Sequence, residues 1–550
     1  MECEGNVRIL FNDFFCSFYN GAKLIYSFSF YAFMPKTLKI TEIASDPSMN
    51  IVMDTLALGK QALVFVNTKR SAEKVAEDIS KKIKEENNEL DKLAEEVGKA
   101  VSRPTKQCER LALCLKKGIA FHHAGLAHKQ KSLVEEHFRK GSIKIICATP
   151  TLAFGLDLPA YRVIVRDLHR YSQHGLAWIP ILEVHQMFGR AGRPSFDKEG
   201  QALCIAATPA EKEKITERYL KGLPEDIFSK LAVEPVLRTY LLSLISSGFV
   251  STHEQAVSFF GKTFWAHQYK DMEKLEGIID KMLSLLEEWE FIMGPSDDFQ
   301  SADSLDDAKY QPTALGKRVS ELYIDPYTAH FMLSRLQEAS SKKIELFALL
   351  HVISRTLELR PLLRARTKDF DKIQEYLLRY GNSLFEEEPS MYDPEYEEYM
   401  DSVKTSIMFD EWIHEKGEDY LLETYNIRPG ELNAKMDVAD WLLYSMSELV
   451  RFQHYPAMLK EILKLRFRLR YGVQEELLPL VRLENIGRIR ARKLYSNGLK
   501  DLAAVRKADI MKLTQLLGKN IALNIKKQVD GEIKEVVPGK RKGQISLEDY

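Results

Sequence analysis

The residues whose types and spacing carry the plainest chemistry lie in the phrase QMFGRAGRP: Gln186, Gly189, Arg190, Gly192 and Arg193. Arg190 and Arg193 stand three positions apart, neighbours on one helical face, and the two glycines leave room for close approach. Arginine is always charged, offers a planar fork of donors to phosphate oxygens, and stabilises charge developing on a transferred γ-phosphoryl group. The pair is therefore cast as arginine fingers acting on a polyphosphate. Taken alone the phrase is short, and a basic helix start on a solvated face would read the same way.

Two further phrases precede it in order: HHAGL from His122, and ATPTLAFGLDLPA from Ala148. Together the three resemble motifs IVa, V and VI of superfamily 2 helicases, and GLDLPA followed by QMFGRAGRP is similar to their Ski-like branch. The resemblance implies ATP hydrolysis driven by nucleic acid, with ATP and Mg²⁺ as cofactors, in a cleft between two RecA-like domains. It implies catalytic roles for Gln186, Arg190 and Arg193, and ATP-binding or coupling roles for Gly155, Asp157 and Gly189. Asn67, Thr68 and Arg70 match the family's motif IV; with His123, Gly125 and Thr149 they are expected to touch nucleic acid. Asp157 departs from the branch, which has Asn there, and exchanges a neutral amide for a carboxylate that only accepts hydrogen bonds.

The first RecA-like domain of such enzymes carries a G-x-x-x-x-G-K-[ST] phosphate loop, and these 550 residues contain none. Gly261-Lys262-Thr263 is a decoy, with Ala256 in the place of the first glycine and no apolar strand leading in. Asp410-Glu411-Trp412-Ile413-His414 has one residue too many for the magnesium-holding D-E-x-H box, and its Trp and Ile are core-type residues. The expectation is a chain without the first ATPase half and without the Mg²⁺ ligands, that half being either supplied by a separate partner chain or lost by truncation of the reading frame.

The elements that must position these residues follow from composition and pattern. At this length several domains are expected. A net charge of −1 excludes a uniformly basic coat, so nucleic-acid binding has to come from local patches. Six cysteines without a C-x-x-C pair argue against a disulfide framework or a zinc site and point to a reducing compartment; with the helicase resemblance the expected location is intracellular, in cytoplasm or nucleoid. The aromatic run Phe14 to Met34 has the length of a membrane span, but Asn20-Gly21 and three serines interrupt it. It reads instead as a hairpin of aromatic strands, or as a remnant of the connection to a first domain.

ALVFVNT, KIICATP, RVIVRDL and QALCIAAT are short apolar strands between helical segments, and Thr68 is placed to cap the helix that follows the first. They predict a parallel α/β sheet, similar to a second RecA-like domain, over 34–209; residues 1–33 precede it as the uncertain end. His174-Gly175 marks a β-hairpin between motifs V and VI, on which Tyr171 and Trp178 either stack on an unpaired base or pack the hairpin onto its own domain.

Residues 210–310 turn helical, and the family expectation there is a winged helix, serving as a joint or a DNA reader. TALGKRVSELYIDPYTAHFM closely resembles the start of the helical domain of archaeal Hjm-type repair helicases, and the resemblance runs to the C-terminus. It implies a ratchet over 311–475, in which Trp441 stacks on a single strand beside Lys435. The family's basic position is Ala434 here, and a plain core tryptophan would also fit. Over 476–530 Gly487, Arg488, Arg490, Arg492 and Lys493 resemble a helix-hairpin-helix gripping backbone phosphates, or else lie on a solvated basic helix. The flexible tail 531–550 ends in Gln544, Leu547 and Tyr550, spaced like a sliding-clamp peptide or simply frayed. The reading is a 3′ to 5′ DNA helicase of fork repair and recombination, binding single-stranded and forked DNA. A non-catalytic DNA-binding fragment and an RNA helicase of the same branch are its rivals.

Overall fold

A computed structural model describes residues 10–11, 40–84, 88–101, 104–154, 158–172, 175–192, 200–231, 233–294, 309–338, 344–453 and 455–530. The aromatic run from Phe14, together with Gly155, Asp157, Arg193, Gln544, Leu547 and Tyr550, lies outside the described residues. The chain forms two compact units: Met1–Ile227 with Asn426–Asn433, and Phe228–Tyr425 with Ala434–Tyr550.

The first unit is built on a 6-stranded sheet. Its strands are β1 (Leu10–Phe11), β2 (Ala62–Phe65), β3 (Ile119–His122), β4 (Ile145–Ala148), β5 (Arg162–Val165) and, after the hairpin strands β6 (His169–Ser172) and β7 (Gly175–Trp178), β8 (Gln201–Cys204). The order is β1-β8-β5-β2-β4-β3, parallel except for β1 at the edge. Leu63, Val64, Ile145, Ile146, Val163 and Ile164 are fully buried, as continuous apolar runs must be in a sheet covered on both faces. The covering helices are α1 (Pro47–Ala57), α2 (Lys69–Ser80), α3 (Asn88–Lys99), α4 (Lys106–Leu115), α5 (His128–Arg139), α6 (Ile181–Phe188) and α7 (Pro209–Ile215). Thr68 caps α2 by accepting from the Ser71 N–H at 3.0 Å, and Ala72, Val75, Ala76 and Ile79 form its buried stripe.

Three features depart from the sequence reading. Arg162, inside a strand read as apolar, is 1% exposed; its guanidinium reaches Gln201 Oε1, Asp54 Oδ2, Thr55 Oγ1 and the Ile51 carbonyl at 2.8–3.1 Å. The helix carrying motif VI stops at Phe188 with Gly189 as its C-cap, so Arg190 sits in the turn beyond it rather than on a helical face shared with Arg193. The sheet's core also runs past residue 209: Ile215 and Tyr219 belong to it, and the Tyr219 hydroxyl donates to the Ile179 carbonyl at 2.7 Å.

The second unit is mostly helical. It opens with α8 (Glu234–Ser246), α9 (His253–Gly261), α10 (Phe264–Tyr269) and α11 (Met272–Glu288), followed by a short antiparallel pair, β9 (Ile292–Met293) and β10 (Gln311–Pro312). After α12 (Ala314–Leu322) and α13 (Pro326–Glu338) come α14 (Leu346–Ser354), α15 (Phe370–Tyr380), α16 (Tyr396–Ile413), α17 (Glu418–Tyr425), α18 (Pro429–Gln453, whose residues up to Asn433 belong to the first unit) and α19 (Pro456–Tyr471). The last helices, α20 (Leu478–Val481), α21 (Arg488–Ser496), α22 (Leu502–Lys507), α23 (Ile510–Leu517) and α24 (Lys519–Asp530), share a core of their own that includes Val473, Leu494, Leu513 and Ile525. Both decoys have structural employment. Gly261 ends α9 while Thr263 precedes α10, and Asp410 and Glu411 lie in α16, accepting from Tyr376 and Tyr425 hydroxyls at 3.1 and 2.6 Å.

Arg162 is the feature of this fold most open to a test. Arg162→Met keeps the bulk but strands a carbonyl, a hydroxyl and an amide oxygen in the dry interior, and should lower stability by about 2–4 kcal/mol. Chemical denaturation followed by fluorescence would show it as an earlier midpoint for the first unit; an unchanged midpoint would contradict this account.

Candidate functional site

Three loops at one end of the parallel strands bring the motif residues together. Asn67 and Thr68 follow β2, Ala124 and Gly125 follow β3, and Thr149 follows β4; parallel ladders in register place those ends side by side. They open onto a cavity of about 690 Å³, also lined by Lys69, Arg70, Pro150, Thr151, Phe154, Arg170, Ile179 and Glu183. The remaining lining residues, Asn426, Arg428 and Glu431, come from far along the sequence, in the segment 426–433 that belongs to the first unit.

That segment is seated by a close backbone approach. The Gly430 N–H donates to the Gly125 carbonyl at 3.0 Å. A Cβ at Gly430 would lie 2.4 Å from the Ala124 and Leu126 carbonyl oxygens, and one at Gly125 would lie 2.3 Å from Arg428 Cδ. Only glycine permits this packing on either side.

Behind it lies Glu73, 3% exposed on α2. Its Oε1 meets His123 Nε2 at 3.1 Å and Arg428 Nε at 3.0 Å, and its Oε2 meets an Arg110 Nη at 2.7 Å. Burial pushes the Glu73 carboxyl up, but the His123 hydrogen bond and the Arg428 charge outweigh it and hold it down to about 2. Burial also lowers the His123 pKa, so the ring is neutral. Its Nδ1 accepts from the Gly125 N–H at 3.1 Å, which leaves the proton on Nε2, donated to Glu73. His123, expected to touch a nucleic-acid backbone, is instead fully buried: it shapes the loop and does not present itself. His122 is likewise inside, on Glu135 at 2.9 Å.

The cavity's cations are mostly matched. Arg170 makes a bidentate pair with Glu183 at 2.8 and 2.9 Å, and Lys69 pairs with Glu431. Arg70 is exposed and has no carboxylate partner among the described residues. The Asn67 amide donates to the His169 carbonyl and pins the start of the hairpin. The hairpin is present as the β6–β7 ladder, but Trp178 is packed between His169 and Tyr219, with ring centroids at 3.8 and 6.0 Å. Of its two aromatics, then, Trp178 faces its own unit; the Tyr171 side chain is outside the described set.

In motif VI, Gln186 Oε1 is buried with no hydrogen-bond partner among the described residues. Close by in sequence, Arg190 donates to the Ala153 carbonyl at 2.7 Å, which ties motif VI to motif V. Among the described residues no three His, Cys, Asp or Glu side chains converge to hold a metal ion.

In the second unit, Trp441 is half-buried and its indole N–H donates to the Leu322 carbonyl at 3.0 Å. Lys435 Nζ reaches the Pro361 carbonyl at 2.5 Å. Gly487 precedes α21, and Arg488 lies over the Trp412 ring at 4.5 Å. Arg492 is held by Glu415 and by Glu476 at 2.9 Å, leaving Arg490 and Lys493 as the exposed cations of that helix.

A model for the helicase conserved C-terminal domain matches residues 48–195, and one for domain 4 of archaeal helicases matches 347–472. The chain is 38% identical to the ATP-dependent DNA helicase Hel308 of Pyrococcus abyssi, across 90% of this chain and 67% of that protein. It is a member of the Hel308 family of DNA helicases. The Pyrococcus horikoshii relative is 39% identical over the same shares, and that of Methanococcus vannielii 35% over 86% of this chain and 65% of its own length. Pattern reading passed over Lys69, Arg170, Glu183, Arg428 and Glu431, which line the cavity, and Glu73 behind them. The phrase Arg428-Pro429-Gly430-Glu431 held a signal, since Pro at the start of a helix and Glu in its first turn mark an N-terminus. Among the described residues no helix is long and apolar enough to cross a membrane.

The two shifted groups set a pH dependence of one sign. Both folded pKa values lie below the ordinary ones, 6.5 for His123 and 4.5 for Glu73, so the unfolded chain takes up protons first on acidification. Stability present at neutral pH should fall as pH drops below 6.5, and fall again between 4.5 and about 2, the second arm being worth about 3 kcal/mol. Denaturation midpoints from pH 7.5 to 3 check it: His123→Gln should flatten the upper arm, and a wild type insensitive to acid would refute the assignment.

Proposed function

We propose that this chain is the strand-gripping part of a 3′ to 5′ DNA helicase motor acting on forked DNA in repair and recombination, driven by ATP bound between these residues and a RecA-like domain that carries a phosphate loop. The single observation that carries the reading is the cavity that unites motif IV and motif V residues with Arg428 and Lys69. It offers Asn67, Thr149 and Thr151 as neutral partners and Arg70 as an exposed cation toward a phosphodiester backbone, contacts that position a strand without reading its sequence.

In this reading Gln186, Arg190 and Arg193 act on the γ-phosphate across a cleft, where guanidinium charge stabilises the transferring phosphoryl group. ATP would supply the driving hydrolysis; these residues would stabilise the phosphoryl group as it transfers, and the Arg190 bond to Ala153 links that position to motif V. We read α8, α9, α11 and the β9–β10 pair as a winged helix, and 476–530 as a helix-hairpin-helix that offers Arg490 and Lys493 to phosphates. Trp441, with its N–H already engaged, would offer a base its ring face, not a hydrogen bond.

Two measurements test this. The purified chain should bind single-stranded and forked DNA, more weakly as salt rises, without DNA-stimulated ATPase activity. A first RecA-like domain added in trans should restore hydrolysis, and Arg193→Ala in this chain should then abolish it. Robust ATPase activity from the chain alone, indifferent to Arg190 or Arg193 substitution, would overturn the proposal. Separately, Trp441→Ala should weaken single-strand binding by about 1–3 kcal/mol while leaving the melting temperature in place; full binding, or loss of the fold, would return Trp441 to a packing role.

A further inference from the structure

Three carboxylates neutralise cations in or behind the cavity, and they differ in how firmly they are held. Glu73 is 3% exposed and shared by Arg110, His123 and Arg428, so no ligand can displace it without opening the unit. Glu183 grips Arg170 through a two-point fork, a geometry that exchanges reluctantly. Glu431 meets Lys69 through one oxygen on one ammonium, and both side chains are about one-third exposed, at 28% and 32%. Its other oxygen accepts from the Arg428 backbone N–H at 3.1 Å, so the carboxylate stays anchored when Lys69 leaves. Lysine is a compact point charge on a flexible stem and can swing to a new anion; a fork-bound arginine cannot do so as cheaply.

We infer that Glu431 is a built-in phosphate surrogate: its carboxylate occupies Lys69 in the empty cavity, and a phosphodiester of the bound strand takes its place. The inference rests on the reading of this cavity as the strand-binding site. Lys69 lies beside the motif residues Asn67, Thr68 and Arg70, at the start of α2, where the helix end adds its own attraction for an anion. Each strand phosphate gripped there releases one internal ion pair, so the net gain in charge neutralisation is small. Glu431 thereby sets how tightly the strand is held.

The test uses the full chain and a fluorescent oligothymidine, with affinity measured by anisotropy over a range of salt. Glu431→Gln keeps an oxygen for the Arg428 N–H and removes only the charge, so its melting temperature should match wild type. It should bind about threefold to tenfold more tightly at low salt, with a salt slope steeper by about 0.7, the value of one added phosphate contact on a single strand. Lys69→Gln should bind more weakly with a salt slope close to wild type, because in wild type that contact is offset by release of the Glu431 pair, and the double variant should lack the gain of Glu431→Gln. Binding by Glu431→Gln equal to or weaker than wild type overturns the inference, as does a gain that persists in the Lys69→Gln background, which would trace it to the general field of the cavity. Should Glu431→Gln fail to fold, a salt slope in Lys69→Gln flattened by the full value of about 0.7 overturns it alone, since Lys69 would then have been free for the strand in wild type. If wild type shows no salt-dependent binding, or if Arg70→Ala and Asn67→Ala leave binding untouched, the strand-binding reading itself fails; if those two weaken binding and Glu431→Gln changes nothing, only the surrogate is lost.

Discussion

The first unit depends on one dry carboxylate. Glu73 sits at the back of the cavity, and burying an ion there is tolerable only because three partners from different parts of the chain converge on it. Arg110 ties in α4, His123 ties in the loop after β3, and Arg428 ties in a segment that returns from far downstream. Removing any of them leaves charge uncompensated in a low dielectric, so the three connections stand or fall together. The glycine pair 125 and 430 completes the arrangement by letting two backbones meet where any side chain would hold them apart.

From that anchor follows the character of the cavity. Its wall carries Lys69, Arg70, Arg170 and Arg428, yet three of the four already have a carboxylate. This local balance agrees with the chain's net charge of −1. A protein that moves along a strand has to release every phosphate it grips, and cations that are matched when empty hold a polyanion less tenaciously than bare ones. Under the proposed strand-binding role, neutral donors and backbone groups carry a larger share of positioning.

The helical unit uses charge differently, as fasteners between helices. Arg238 and Asp325 form a buried bidentate pair joining α8 to the start of α13, and Lys404 reaches Asp369 at 2.7 Å under 7% exposure. The same economy takes up several cations and aromatics that look free in sequence. Arg488 covers Trp412, Arg492 is held between Glu415 and Glu476, and the Trp441 N–H is given to a carbonyl.

The sequence by itself determined the parallel sheet, the Thr68 cap, the hairpin between motifs V and VI, and the family, because each is written in local pattern: apolar runs between helices, a capping residue, a turn dipeptide, motifs in order. It also exposed the two decoys, since a phosphate loop needs a strand before it and an acidic box needs fixed spacing. Tertiary structure alone decided who meets whom. A buried arginine in β5, a histidine turned inward, a helix ending before Arg190, and a cavity completed by Arg428 and Glu431 all depend on partners distant in sequence. Residue type states what a side chain can bond to. Burial and the long-range return of the chain decide whether that capacity is spent inside the protein or left for a ligand.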